Sequence, residues 1–150
     1  LRLNLGDKVI LLAKPQTFMN LSGESVVAIL NFYKIPIENM LVIHDDLDQD
    51  YGKLRLQKNR GPGGHNGLKS VNQLLGTQDY MRLKVGIGRS LKPSQDVASY
   101  VLEPFSKDEQ QTLKEYAERA ADCALAVVKD GFERASNHFN QDRTIQPGDK

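Results

Sequence analysis

Residues 40–46 read Met-Leu-Val-Ile-His-Asp-Asp, an apolar run that turns abruptly polar. Successive apolar residues over the length of a strand are typical of a central strand that is covered on both faces. Asp48 and Asp50 extend the polar end of this segment. Because ligands in α/β sheets bind beyond the carboxyl ends of the strands, the segment predicts both a central strand and a functional site at its end.

The segments on either side alternate between strand and helix patterns. A Gly6-Asp7 pair predicts a hairpin turn, and Asn20 or Ser22 is placed to cap a helix. Ser106 and Glu109 form a capping box ahead of a long amphipathic pattern. The predicted strands are 1–5, 8–13, 40–43, 53–58 and 80–87, and the predicted helices begin after Pro15, at 67 and at 106, with a shorter one over 132–139.

This interleaving predicts the fold class. Strands and helices in this order favour a single α/β domain, with a twisted mixed β-sheet and helices on both faces. The length of 150 residues agrees, since one domain takes roughly 150 residues. We expect the domain to span residues 1–140 and residues 141–150, which are polar with Pro and Gly, to form a flexible tail.

Composition restricts the class of protein. With 39% hydrophobic residues, 26% charged residues and no apolar run of about 18 residues, the chain is expected to be soluble and not to span a membrane. The single cysteine, Cys123, cannot form an internal disulfide, so the cytoplasm is the expected compartment. We expect Cys123 to be a packing residue.

The charge is distributed unevenly along the chain. The net charge is +1, but residues 51–92 carry nine Lys or Arg against Asp79 alone, and the remainder carries eleven basic and eighteen acidic residues. In the strand patterns, Arg82 and Lys84 alternate with apolar residues and so are expected on the outward face. The segment predicts a surface that binds phosphates by charge and not by base recognition.

Residues 44–50, His-Asp-Asp-Leu-Asp-Gln-Asp, have three interpretations. The carboxylates and His44 could hold Mg²⁺ or Zn²⁺. One Asp could instead orient a histidine from elsewhere in general base catalysis. The segment could also be a solvated acidic turn that accepts hydrogen bonds from backbone amides.

Two further segments carry polar groups suited to a site. The glycine-rich residues 60–70 do not form a phosphate-binding P-loop, because Leu68 stands where its second Gly is required. They could deliver His65 and Asn66 to a helix N-terminus, or form a turn with left-handed glycines. Phe18, Met19 and Asn20 could line a site, or be core and cap residues. The carboxamides of Asn20 and Asn66 could hold a carbonyl oxygen or a ribose hydroxyl.

Taken together, these segments resemble bacterial-type peptidyl-tRNA hydrolase. The resemblance spans nearly all of residues 1–140 and rests on several motifs in the family's order. The matching stretches are 14–23 (KPQTFMNLSG), 42–48 (VIHDDLD), 63–70 (GGHNGLKS), 82–89 (RLKVGIGR) and, more weakly, 100–105 (YVLEPF).

The resemblance implies an enzyme that hydrolyses the ester between a peptide and the 3′ end of tRNA, as a cytoplasmic monomer in translation and ribosome rescue, without metal or cofactor. Asp45 would orient the catalytic histidine. Lys84 matches a phosphate-contacting position, and a second basic position falls near Gln57 or Lys58. The other implied contacts are Asn20 and Asn66, which hold substrate, Phe18 and Met19, which line the site near the 3′ end, His65 beside it, and Lys58 and Arg60 as tRNA-binding residues.

The family's general base lies in a segment that these residues do not match. It is a histidine that follows the first strand and an Asn-Pro-Gly turn, whereas Leu1 aligns with the start of the family's second strand. Neither His44 nor His65 takes that place. We therefore expect this chain alone to lack the first strand and to be inactive or nearly so.

Two other functions remain open at this point. An RNA-binding relative without catalysis, such as an organellar intron-splicing factor, would use the same basic surface. A metal-dependent hydrolase would use the aspartates of residues 44–50, and its activity would not survive EDTA.

Overall fold

The structure is a computed structural model that describes residues 1–141, and they divide into two compact units. Of the described residues, one unit comprises 1–37 and 61–78, and the other comprises 38–60 and 79–141. Most of the expected tail, residues 142–150, lies outside the described residues. In the part of the chain that the structure describes, no helix has the length and hydropathy that crossing a membrane requires.

The first unit combines a β-hairpin with two packed helices. Strands β1 (Arg2–Leu5) and β2 (Lys8–Leu11) pair antiparallel, and Gly6 takes a left-handed φ of +62° in the turn. A side chain would strain that conformation, which confirms the predicted Gly6-Asp7 turn. The helices are α1 (Ser22–Tyr33) and α2 (Asn66–Leu75).

The two helices approach each other at Gly23. Its backbone N–H donates to the Ser70 hydroxyl at 2.9 Å in a buried contact, and a Cβ atom on Gly23 would overlap the Ser70 carbonyl group. Only glycine permits this approach between α1 and α2.

The predicted cap of α1 is wrong. The N-cap residue is Leu21, which makes no side-chain cap bond, and the Ser22 hydroxyl donates to the Met19 carbonyl at 2.7 Å. Asn20 lies instead in a 3₁₀ turn, Met19–Leu21, that precedes the helix. Because this turn already pairs backbone groups ahead of α1, an N-cap side chain is not required there.

The second unit is built on a three-stranded mixed sheet. Its strands are β3 (Leu41–Asp46), β4 (Leu54–Lys58) and β5 (Met81–Gly86), in the order β3-β5-β4. The β3–β5 pair is parallel and the β4–β5 pair antiparallel. The expected α/β class and mixed sheet are confirmed.

The position of β3 differs from the expectation. Residues 40–43 were predicted to form a central strand, but β5 is central and β3 is an edge strand of the described sheet. Ile43 is accordingly 52% exposed. An apolar run does not report how many strands pair with it, so the sequence pattern could not distinguish an edge from the centre.

Three helices complete this unit: α3 (Val97–Val101), which the sequence patterns did not indicate, α4 (Lys107–Asp130) and α5 (Phe132–Phe139). The Ser106–Glu109 capping box begins α4 as predicted. The core gathers Leu56 and Leu83 from the sheet with Tyr116, Cys123 and Val127 from α4. Burial raises the pKa of the Cys123 thiol to about 12, so this residue packs and stays protonated.

Candidate functional site

In the first unit, the turn before α1 lies against the beginning of α2. Phe18 is 81% exposed and Met19 is 57% exposed. The Met19 sulfur lies only 2.6 Å from where a Cβ on Gly67 would stand, so a side chain at Gly67 would displace Met19. Met19 and Gly67 are therefore in contact. Phe18 and Met19 are both exposed apolar side chains and do not belong to a core.

The two predicted asparagines are next to this contact. Asn20 follows Met19, and Asn66 precedes Gly67 as the first residue of α2. Both side chains are exposed. The structure thus brings together the two segments that carry carboxamides, although they are more than forty positions apart in the sequence. A carboxamide presents a donor and an acceptor without charge, which suits a carbonyl or hydroxyl group.

His65 has a defined structural role in the same place. It is the N-cap of α2, and its Nδ1 accepts from the backbone N–H groups of Gly67 and Leu68 at 3.1 and 3.3 Å. An Nδ1 that accepts leaves the ring proton on Nε2, so the side chain is held as an Nε2–H donor. The glycine-rich segment does deliver His65 and Asn66 to a helix N-terminus, as expected.

In the second unit, Asp45 lies at the carboxyl end of β3, opposite Val85 of β5. The neighbouring His44 places its Nδ1 2.8 Å from the Asp45 carbonyl oxygen. Because a carbonyl only accepts, this Nδ1 carries the proton, and the His44 ring is oriented by the backbone. The carboxylate of Asp45 thus belongs to the carboxyl-terminal end of the parallel strands, which is where α/β proteins bind their ligands.

The acidic residues that follow Asp45 face cations. The ion pairs join Asp46 to Lys84 at 2.5 Å, Asp48 to Arg89 at 2.5 Å and Asp50 to Lys53 at 3.6 Å. Among residues 1–141, no group of three or more His, Cys, Asp or Glu is arranged to hold a metal ion. The arrangement of these three carboxylates is that of an ion-paired turn.

Asp46 is the most enclosed of these acids, with its side chain 9% exposed. Besides Lys84, it accepts from the Asp48 backbone N–H at 2.8 Å and from the Gln49 side chain at 3.2 Å. Burial acts to raise the pKa of Asp46, but the hydrogen bonds from Lys84, Asp48 and Gln49 and the Lys84 charge outweigh it, so the pKa lies below its usual value.

The predicted basic surface is smaller than the charge count indicated. Arg82 is buried, at 3% exposure, and Lys53, Lys84 and Arg89 are ion-paired, so the expectation of an outward basic face on β5 is wrong for Arg82. The reason is that β5 is the central strand, and both of its faces are covered. The exposed basic residues of this segment are Arg55, Lys58, Arg60, Lys69, Lys92 and Arg89, the last of which is paired with Asp48.

Three of the exposed cations line one open groove of about 310 Å³. Arg55, Lys58 and Arg60 surround it together with Phe132, and the Lys58 ammonium lies 4.4 Å from the centre of the Phe132 ring, in cation–π range. Lys58 and Arg60 were predicted from the sequence, but Arg55 was missed as an individual site residue. The signal for it was the alternation of residues 53–58, and the register places Arg55 directly opposite Lys84.

The α/β scaffold, the carboxylate at a strand end, the exposed carboxamides and the cationic groove are features that suit an enzyme acting on an anionic substrate. Comparison with known proteins identifies the family. The family model described as peptidyl-tRNA hydrolase matches residues 1–147, and the chain belongs to this family.

Individual relatives agree with the family. The chain is 46% identical to the peptidyl-tRNA hydrolase of Bdellovibrio bacteriovorus over 134 residues, which cover 89% of this chain and 72% of the relative. It is 48% identical to that of Rhodococcus opacus over 130 residues, covering 87% and 68%. A crystal structure of peptidyl-tRNA hydrolase from Acinetobacter baumannii superposes with a TM-score of 0.85 at 32% identity, covering 98% and 72%. The alternative of a non-catalytic RNA-binding relative gains no support.

Proposed function

We propose that this chain binds peptidyl-tRNA and contributes to hydrolysis of the ester between the peptide and the tRNA 3′ end. The observation that carries the proposal is membership of the peptidyl-tRNA hydrolase family across residues 1–147. The products would be free tRNA, with its terminal hydroxyl restored, and a peptide with a free carboxylate.

In the proposed mechanism, Asp45 orients a histidine that acts as general base. The neutral imidazole removes a proton from water, the water attacks the ester carbonyl, and Asp45 stabilises the imidazolium that forms. The imidazolium then donates this proton to the leaving 3′ oxygen of the tRNA. Asp45 acts through the histidine because a carboxylate is a weaker base toward water than a neutral imidazole.

The first unit would hold the reacting end of the substrate. Asn20 and Asn66 would donate amide hydrogens to the carbonyl oxygen, where negative charge develops. Phe18 and Met19 offer an exposed apolar surface for the 3′-terminal nucleotide or the adjoining residue of the peptide. His65, held as an Nε2–H donor, would bind a nearby oxygen.

The second unit would hold the phosphate backbone. Lys58 and Arg60 line the groove beside Phe132, and Lys84 lies on the neighbouring strand β5, opposite the groove residue Arg55. Contacts of this kind fix the position of an RNA without reading its sequence, and their strength falls as salt rises. We also propose that the protein acts as a monomer in the cytoplasm and needs neither metal nor cofactor.

Catalysis by residues 1–150 alone is proposed to be slow or absent. By the resemblance, neither His44 nor His65 takes the place of the family's general base, and each is hydrogen-bonded to backbone groups. The test measures hydrolysis of N-acetylaminoacyl-tRNA through the release of the labelled N-acetylamino acid. A chimera that carries the N-terminal strand and histidine loop of a family member ahead of Leu1 should gain activity by orders of magnitude.

Variants of that chimera separate the proposed roles. Asp45→Asn should lower kcat at least 100-fold with little change in tRNA affinity, since it removes the group that orients the base. Asn66→Ala should cost about 100- to 1,000-fold in kcat, the range for loss of one oxyanion donor. Activity that disappears in EDTA and returns with a divalent ion would contradict the proposed metal-free mechanism. An active chain without the added segment would contradict the proposed need for it.

A further inference from the structure

The ion pair between Asp46 and Lys84 lies at the place where an RNA phosphate is proposed to bind. The Lys84 ammonium contacts a carboxylate oxygen of Asp46 at 2.5 Å, and the Lys84 side chain is 21% exposed. This cation is therefore already bound to an anion before any substrate arrives. A phosphate that uses Lys84 has to share or replace that partner.

The strand register shows how Lys84 reaches Asp46. In the parallel β3–β5 pair, Lys84 lies opposite His44, whereas Asp46 lies opposite Gly86. The lysine side chain therefore runs along the sheet by two residues, about 6.6 Å, toward the carboxyl ends of the strands. This direction brings the Lys84 ammonium to the carboxyl-terminal ends of the strands, where Asp45 lies.

Asp46 is fixed in position and stays charged. It accepts hydrogen bonds from the Asp48 backbone and the Gln49 side chain in addition to Lys84, and its side chain is 9% exposed. These contacts hold the pKa of Asp46 below its usual value. The carboxylate is thus a permanent anion at neutral pH and not a mobile side chain that could easily move away.

Other cations surround the pair on the same face of the sheet. Arg55 lies directly opposite Lys84 on β4, and Arg82 lies two residues before it on β5. Like charges directly opposite each other destabilise a sheet, so the Asp46 carboxylate offsets part of the repulsion between Lys84 and Arg55. In this structure Asp46 supplies a negative charge to Lys84, as a phosphate would in a complex.

We propose that Asp46 is a resident competitor for the RNA phosphate at Lys84 and thereby sets the affinity of this contact for tRNA. The inference rests on the proposed function, because it takes tRNA as the ligand. Repulsion between the Asp46 carboxylate and an incoming phosphate keeps binding weaker than the cations alone would make it. After the ester is cleaved, the same repulsion favours release of the deacylated tRNA.

The experiment measures the dissociation constant of the chain for deacylated tRNA over a series of salt concentrations. Asp46→Asn should bind tRNA about ten-fold more tightly at low salt, because it removes one negative charge a few ångströms from the phosphate. The slope of log affinity against log salt should steepen by less than about one unit, as expected when one more cation engages a phosphate.

Asp48→Asn is the matched control. It makes the same charge change two residues away, but the Asp48–Arg89 pair is 59% and 64% exposed and is screened by solvent. Its dissociation constant should change by less than about two-fold. In a Lys84→Met background, Asp46→Asn should have no more effect than this control, since the contact on which Asp46 acts has been removed.

Several outcomes would overturn the inference. They are an Asp46→Asn affinity equal to that of Asp48→Asn, an affinity weaker than wild type, or a full ten-fold gain that persists in the Lys84→Met background. If Asp46→Asn does not fold, as judged by circular dichroism, Asp46→Ser retains an acceptor for the Asp48 N–H and takes its place. A wild-type chain that binds no tRNA at low salt would instead contradict the proposed function, so the two failures are distinguishable.

Discussion

The two units present site residues of opposite character. In the first, the segments around Met19 and Gly67 carry neutral groups, namely amides, an imidazole and apolar side chains, held by backbone contacts. In the second, the turn after β3 and the neighbouring strands carry charges that neutralise one another. The neutral site therefore depends on close packing, whereas in the charged site the Asp46–Lys84 pair is enclosed and the Asp48–Arg89 pair is exposed to solvent.

The largest effect should come from breaking the close packing in the first unit. Gly23→Ala places a Cβ against the Ser70 carbonyl, which as backbone cannot move aside easily, and should lower the free energy of unfolding by about 3 kcal/mol. Urea unfolding followed by circular dichroism measures it. Gly61→Ala, where a Cβ meets no atom within 4 Å, is the control and should be neutral or stabilising by up to about 1 kcal/mol. Equal losses in both would refute the packing argument.

The next effect tests burial in the charged unit. Lys84→Met leaves Asp46, 9% exposed, without its cation and should lower the free energy of unfolding by about 2 kcal/mol. The value lies below that of a fully buried pair, because Asp46 keeps the hydrogen bonds from Asp48 and Gln49. Urea unfolding at neutral pH measures this loss. A change under about 0.5 kcal/mol lies in the range of exposed ion pairs and would show that the Asp46–Lys84 pair behaves as one of them.

A smaller effect should appear on acidification. The pKa of Asp46 is lowered in the folded state, so its contribution to stability is fully present above the unfolded pKa of about 3.9 and is lost as pH falls through the lower folded value. Unfolding free energies measured between about pH 2 and pH 6 should therefore fall less steeply in Asp46→Asn than in wild type. If the free energy of unfolding fell equally steeply with decreasing pH in the two proteins, the lowered pKa of Asp46 in the folded state would be contradicted.

The smallest effect should come from the exposed ion pair. Arg89→Met removes a contact of the same 2.5 Å length as the Asp46–Lys84 pair, but both of its side chains are more than half exposed. We expect a loss of at most about 0.5 kcal/mol, reduced further at 0.5 M salt. Because the nitrogen–oxygen distance is the same in both pairs, the difference in unfolding free energy between Arg89→Met and Lys84→Met reports the effect of burial.

The elements of the fold followed closely from sequence patterns, because local signals specify them. The Gly6 turn and the Ser106–Glu109 capping box each act within a few residues. The sequence patterns did not predict the cap of α1, the helix α3 or the placement of strands: residues 40–43 form an edge of the described sheet, and β5 is the centre. Strand order is set by pairing between distant segments, which no local pattern reports.

The candidate site divides in the same way. The resemblance to a family supplied Asp45, Asn20 and Asn66 as site residues, and their roles remain predictions. The ion pairing of Lys84 and the burial of Arg82 could not be foreseen, because each depends on a partner or a covering element far along the chain. The charge count of residues 51–92 therefore overstated the surface available to phosphates.

One contact at the other edge of the sheet has a consequence for self-association. Asn140, just after α5, accepts from the Leu56 N–H with its side-chain oxygen at 2.7 Å and donates to the Leu56 carbonyl with its nitrogen at 3.0 Å. A single carboxamide thus imitates one residue of a neighbouring strand on β4. An open strand edge is a template for pairing with a second copy and for aggregation. Because Asn140 occupies both backbone groups of Leu56, in the middle of β4, those groups are not available for pairing with a strand of another chain.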